Sequence, residues 1–174
     1  MGLRSALLGR GGSKPDVDGI QGLTAAESAL RSAGLRSTGV GSICVKPVDG
    51  GTIDGNEKFE KSLDDFGFTW LTRRTTPGDV SGLVADLHEL GVAGDEAGFG
   101  GALVCALVGF TDPGGAPVAM VYRYKRGAWY PFAPTGDNTR DNKRELDIRA
   151  QLRDSLKIEA DLTRWFPVWG APGV

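Results

Sequence analysis

The sequence predicts an α+β fold: a two-layer sandwich in which a mostly antiparallel sheet of about five strands carries helices on one face, in the order α-β-β-α-β-β-β-α. Three observations lead there. The stretch from Ala102 to Phe132 holds three apolar or aromatic runs separated only by short turns bearing Gly or Pro, the pattern of an antiparallel meander. No repeated βαβ unit is visible, which argues against a parallel doubly wound sheet. The 174 residues suit one domain, with 40% hydrophobic and 24% charged residues in ordinary globular balance and 27 glycines announcing many turns.

Residues 1–19 read as an N-terminal turn and a flexible linker, and residues 20–174 as a single α+β domain with a docked aromatic C-terminal tail. In the first turn Leu3, Leu7 and Leu8 stand beside Arg4 and Arg10, a pairing suited to a membrane surface or a partner; a frayed end is the alternative. "GRGGSKPDVDG" then has linker composition. Thr24, with Glu27 three residues on, caps a first helix that stops at Gly34. "STGVGSICVKPV" is rich in β-branched residues and forms a first strand, with Pro47 at an edge or strand end. In "DFGFTWLTRR" alternation sets Phe66, Phe68 and Trp70 on one face of a second strand and Thr69, Leu71 and Arg73 on the other. Leu83, Val84, Leu87 and Leu90 recur at helical spacing, with Asp79 or Ser81 as cap and Gly91 as stop; "GDEAG" extends the turn.

"ALVCALVGF" is apolar on both faces and is a central strand. "VAMVYRY" and "AWYPF" follow across turns that include Gly127, which can take positive φ. Alternation places Met120, Tyr122 and Tyr124 in the core and Val121, Arg123 and Lys125 on the opposite face. Residues 138–157 are dense in charge and leucine and make the longest helix, with Glu145 and Arg149 in the favourable i, i+4 order.

Chemistry-bearing motifs are absent. His88 is the only histidine, and "HEL" lacks the second histidine of a zinc helix. "GFGG" follows a helix, whereas nucleotide-binding glycines follow a strand. Asp137, Asn138, Asp141 and Asn142 stand where helix caps belong. Neither a G-x-S-x-G elbow nor a calcium ligand ladder is present. The expectation is a protein that is no enzyme and takes no metal or cofactor. Cys44 and Cys105 lie inside apolar runs and read as buried, reduced thiols of a cytoplasmic protein. No apolar run reaches the length of a membrane span, and Ala6 breaks a myristoylation signal.

Net charge is −2 with a pI near 5.4, which speaks against nucleic acid as a partner. Locally the balance reverses: six Lys or Arg residues between Arg123 and Arg144 face only Asp137 and Asp141. Arg123, Lys125, Arg126, Tyr130, Arg140 and Asn142 are therefore the candidate contacts for a partner or an anion. Trp165 and Trp169, around Pro167, either pack on the sheet or form an aromatic contact.

Seven segments in order, "MGLRSALLGR", "GLRSTGVGSICVKPVDGG", "FGFTWL", "AGFGGALVCALVGF", "VYRYKRGAWYPFAPTG", "RDNKRELDIRAQL" and "RWFPVWGAPG", resemble the actinobacterial PspA-associated family PspAB. The stretch from Glu57 to Asp64 carries the least of this likeness. The resemblance implies association with PspA-type proteins of the phage-shock membrane-stress response, which are long charged helices, and it implies no enzymatic activity. The expected role is a cytoplasmic adaptor or regulator that binds a PspA-like partner, touches the inner membrane surface through Met1–Arg10 and forms a homodimer. The alternative is a sensor of a small anion or phosphate built from Arg123, Tyr130, Arg140 and Asn142.

Overall fold

Residues 14–49, 51 and 53–174 are described by the structure, a computed structural model; the Met1–Arg10 turn lies outside them. Six strands form one antiparallel sheet: β1 (Arg36–Val45), β2 (Phe59–Leu63), β3 (Thr69–Arg74), β4 (Leu103–Thr111), β5 (Pro117–Arg123) and β6 (Ala128–Phe132). Their spatial order is β2-β3-β1-β4-β5-β6. The meander stands as expected, with Val121 opposite Tyr130 and Leu107 opposite Val121. The sheet exceeds the expected five strands because β2 pairs with β3 despite an almost fully exposed, charged sequence. A small ribbon, β7 (Pro134–Gly136) and β8 (Thr139–Arg140), follows β6.

The helices are α1 (Gly22–Ala25), α2 (Glu27–Ser32), α3 (Val80–Gly94) and α4 (Asn142–Leu152). The first expected helix is thus two short pieces. Thr24 lies inside α1 instead of capping it, and the chain leaves α2 at Gly34, whose φ is +78°. Asp79 caps α3 by accepting from the Gly82 N–H at 2.8 Å, but α3 runs past Gly91. Asp141 caps α4 in the same way through Arg144 N–H. That cap, with the β7–β8 ribbon before it, makes α4 shorter than the expected 138–157 and leaves α3 as the longest helix.

Alternation then builds two cores. On one face Ile43, Leu71, Val108, Met120, Tyr122 and Trp129 pack under Leu23, Leu30, Leu83, Leu87 and Leu152 of the helices. On the other, Cys44, Trp70, Leu107, Val121, Tyr130 and Phe132 are covered by Trp165, Val168 and Ala171 of the C-terminal tail. A sheet covered on both faces explains why β4 is apolar throughout. Packing reaches back to Asp16, whose N–H donates to Tyr124 O and whose carbonyl accepts from the Tyr122 hydroxyl at 2.6 Å. Those bonds tie the end of the expected flexible linker to the sheet.

The two sheet edges differ. Outside β6, Trp129 N–H donates to Lys157 O and Glu159 N–H to Trp129 O, a short parallel bridge that seals the edge. Outside β2, no strand pairs among the described residues. None of the described helices is long and apolar enough to cross a membrane.

Candidate functional site

Alternation along β5 sends Arg123 to the tail side of the sheet, as its sequence position requires. That side is closed. Arg123 is only 4% exposed, and its guanidinium lies 4.9 Å from the centre of the Phe166 ring. The open basic face expected from Arg123 and Lys125 is therefore absent, because the tail lies over Arg123. Lys125 sits half-buried in the turn that follows.

Tyr130 stands between Arg123, which is opposite Ala128, and Arg140, which lies over the Phe132 ring. Tyr130 donates its hydroxyl to Phe166 O at 2.8 Å, and its ring stacks on Trp165 with centroids 6.1 Å apart. Burial pushes the Tyr130 phenol well above its ordinary range, so it acts as a donor. Arg140 donates Nη1–H to Trp165 O at 2.8 Å and Nε–H to Glu145 at 2.7 Å, and lies over the Phe132 ring. Glu145, 2% exposed, also accepts the Ala133 N–H. It therefore serves Arg140 and the β6 end rather than the expected surface pair with Arg149. Asn142 stands exposed at the first position of α4, outside this group.

Arg126 is bound differently. Its Nε–H and an Nη–H both reach Glu159, at 2.8 and 3.2 Å, and Glu159 is buried. The hydrogen bonds from Arg126 hold the Glu159 carboxyl below its ordinary value of 4.5. A depressed folded value adds stability above the unfolded value, and that stability fades as pH falls through the folded one. Arg126→Gln should accordingly flatten the acid limb of stability against pH below the ordinary carboxyl value. Thermal midpoints across that range measure it, and an unchanged acid limb would remove the pair from the account.

The two tail tryptophans divide. Trp165 is buried and donates its indole N–H to Glu159 O, so it packs. Trp169 stays 37% exposed, edge-on to Phe132, and lines a groove of about 620 Å³. Leu63 and Phe66, 72% and 59% exposed, stand at the same groove, with Phe68, Trp70 and Pro167. Phe66 lies off the strand where alternation would put it, because Asp64 folds the chain into a turn, accepting the Phe66 and Phe68 N–H groups and the Trp70 indole N–H. The open edge of β2 ends at this groove. Leu63 carries no signal in the sequence, being a single leucine in a charged stretch.

Cys44 and Cys105 face each other across β1 and β4 as free, fully buried thiols beneath the tail. The hydrogen bond to Cys105, with burial, pushes the Cys44 thiol far up. No group of three or more metal-ligating side chains occurs among the described residues.

A model of one protein family, described as PspAB, PspA associated protein B, matches residues 1–173. No curated protein and no solved structure matches the chain.

Proposed function

We propose, from the premise that the chain belongs to the PspAB family, that it is a non-enzymatic adaptor that binds PspA within a phage-shock response to envelope stress. Leu63, Phe66 and Trp169 around their groove are the observation that supports a docking face. Large apolar surface exposed together at a sheet corner loses water readily on binding. The occupant in this reading is one helix of PspA. Its apolar stripe enters the groove in helix-in-groove fashion, and its basic residues meet Asp65 at the rim. The chain works on the cytoplasmic side of the inner membrane, where PspA is met.

Leu63→Asp combined with Trp169→Ala tests this. Leu63 is largely exposed, whereas Trp169 gives up its edge contact with Phe132, so the double variant should lose about 1–3 kcal/mol and stay folded. Co-purification with PspA should fall by about tenfold or more. PspA retained at the wild-type level by the folded double variant would overturn the groove as its site.

A further inference from the structure

Arg123 is in an unusual position for a cation. Its Nε and Nη1 groups are sealed from solvent and have no hydrogen-bond acceptor, and Nη2 of Arg140 is in the same state. Guanidinium N–H groups buried without acceptors are costly, and buried charges are ordinarily paired. Apart from the hydroxyls of Ser42, Thr72 and Tyr130 this sheet face is apolar, so a methionine at position 123 would suit the closed state better than an arginine does.

What closes the face is also held in an unusual way. Within residues 160–174 the backbone N–H bonds run inside the tail itself, from Arg164 to Asp161, Trp165 to Leu162, Ala171 to Val168 and Val174 to Ala171. Among the described residues no strand ladder ties the tail to the sheet. Among the described residues its polar ties to the sheet are side chains that donate to tail carbonyls, Tyr130 to Phe166, Arg140 to Trp165 and Ser42 to Pro172, while the Trp165 indole N–H and the Asp161 N–H reach Glu159 at the base of the tail. Neutral carbonyls thus occupy donors that would bind carboxylates about twice as strongly.

We propose that residues 160–174 are a displaceable cover, and that the surface beneath them receives the carboxylates of an acidic amphipathic segment of a partner protein. The strand register sets the spacing of that site. Arg123 lies opposite Ala128, Tyr130 follows on β6, and Arg140 lies over Phe132, so two cations flank one phenol along the strand. Val121, Leu107 and Phe132 supply the apolar floor. The segment's carboxylates replace the tail's carbonyls and satisfy the unmet guanidinium donors, while its apolar face replaces Trp165 and Val168. Residues 167–172 of the cover form one wall of the groove at Leu63, so occupying this site takes that groove apart, and the proposal does not rest on the groove.

The test uses the full chain and a synthetic amphipathic Leu–Glu helical peptide, with a Leu–Lys peptide and inorganic phosphate for comparison. Cys44 and Cys105, fully buried beneath the tail, report uncovering through their rate of thiol labelling. The Leu–Glu peptide should bind and speed labelling by about tenfold or more, whereas Leu–Lys should do neither. Arg123→Met should lose about tenfold in affinity while its thermal midpoint holds or rises. Phe166→Ala, which loosens the cover and keeps both arginines, should bind more tightly. Binding that leaves labelling unchanged, equal binding by Arg123→Met, or no binding by either the native chain or Phe166→Ala would overturn the proposal. Faster labelling with phosphate alone, and no peptide binding, would overturn the protein segment as ligand.

Discussion

Changing Glu145 to leucine should lower the stability of the fold by about 3 kcal/mol, out of proportion to one residue in the first turn of a highly charged helix. Glu145 is buried, and one of its oxygens accepts from both Ala133 N–H and Arg140 Nε–H. Its loss leaves a largely buried guanidinium and a buried amide without their acceptor, a larger penalty than the pair's own net worth. Urea denaturation should show a lower midpoint with an unchanged slope. Adding Arg140→Met to Glu145→Leu should recover part of the loss, since the stranded charge is then gone while Ala133 N–H still lacks its acceptor and Trp165 O loses its donor. A single variant within about 0.5 kcal/mol of the native chain would show that Arg140 is satisfied without Glu145.

Gly109→Ala should open the tail from its far end. A Cβ at position 109 would lie 2.3 Å from the Gly173 carbonyl oxygen and 2.8 Å from Thr38 Oγ1. Strand β4 is held between β1 and β5 and cannot retreat, whereas the last residues of the chain can. The overpacking should cost about 1–3 kcal/mol and raise the labelling rate of the two buried thiols by about tenfold or more. Labelling at the native rate, with the same loss of stability, would mean that the strand yields and the tail stays.

Much of this architecture is legible in the chain because it is local. Short turns join β4, β5 and β6, and alternation alone places Tyr122 and Tyr124 under the helices. Asp79 and Asp141 announce their caps through neighbours three residues away. Strand β2 is not legible, since Phe59–Leu63 owes its form to pairing with β3 and buries almost nothing of its own. Glu145 misleads for a similar reason: Arg149 is one turn along the helix, but Arg140 reaches it from β8.

The candidate site shows the same division. Alternation correctly separates Arg123 from the tyrosines, yet nothing in β5 reveals that a segment some forty residues later covers that face. Tyr130 stands between Arg123 and Arg140 on that face, while Asn142 lies exposed outside the group. Exposure divides Trp169 from Trp165 although both lie in one aromatic run, because only Trp165 reaches the stack on Tyr130.

The unequal edges of the sheet limit how many copies could join along it. Among the described residues the Trp129 bridge to Ile158 occupies the β6 side of the six-stranded sheet and β2 is the edge left to accept a further strand. A unit with a single sticky end has a valence of one. Two such chains meeting β2 to β2 about a two-fold axis would use up both free edges and stop at a pair, whereas a sheet open at both ends can extend without limit. Strand-to-strand growth through the β6 side is blocked for as long as residues 157–159 stay in place.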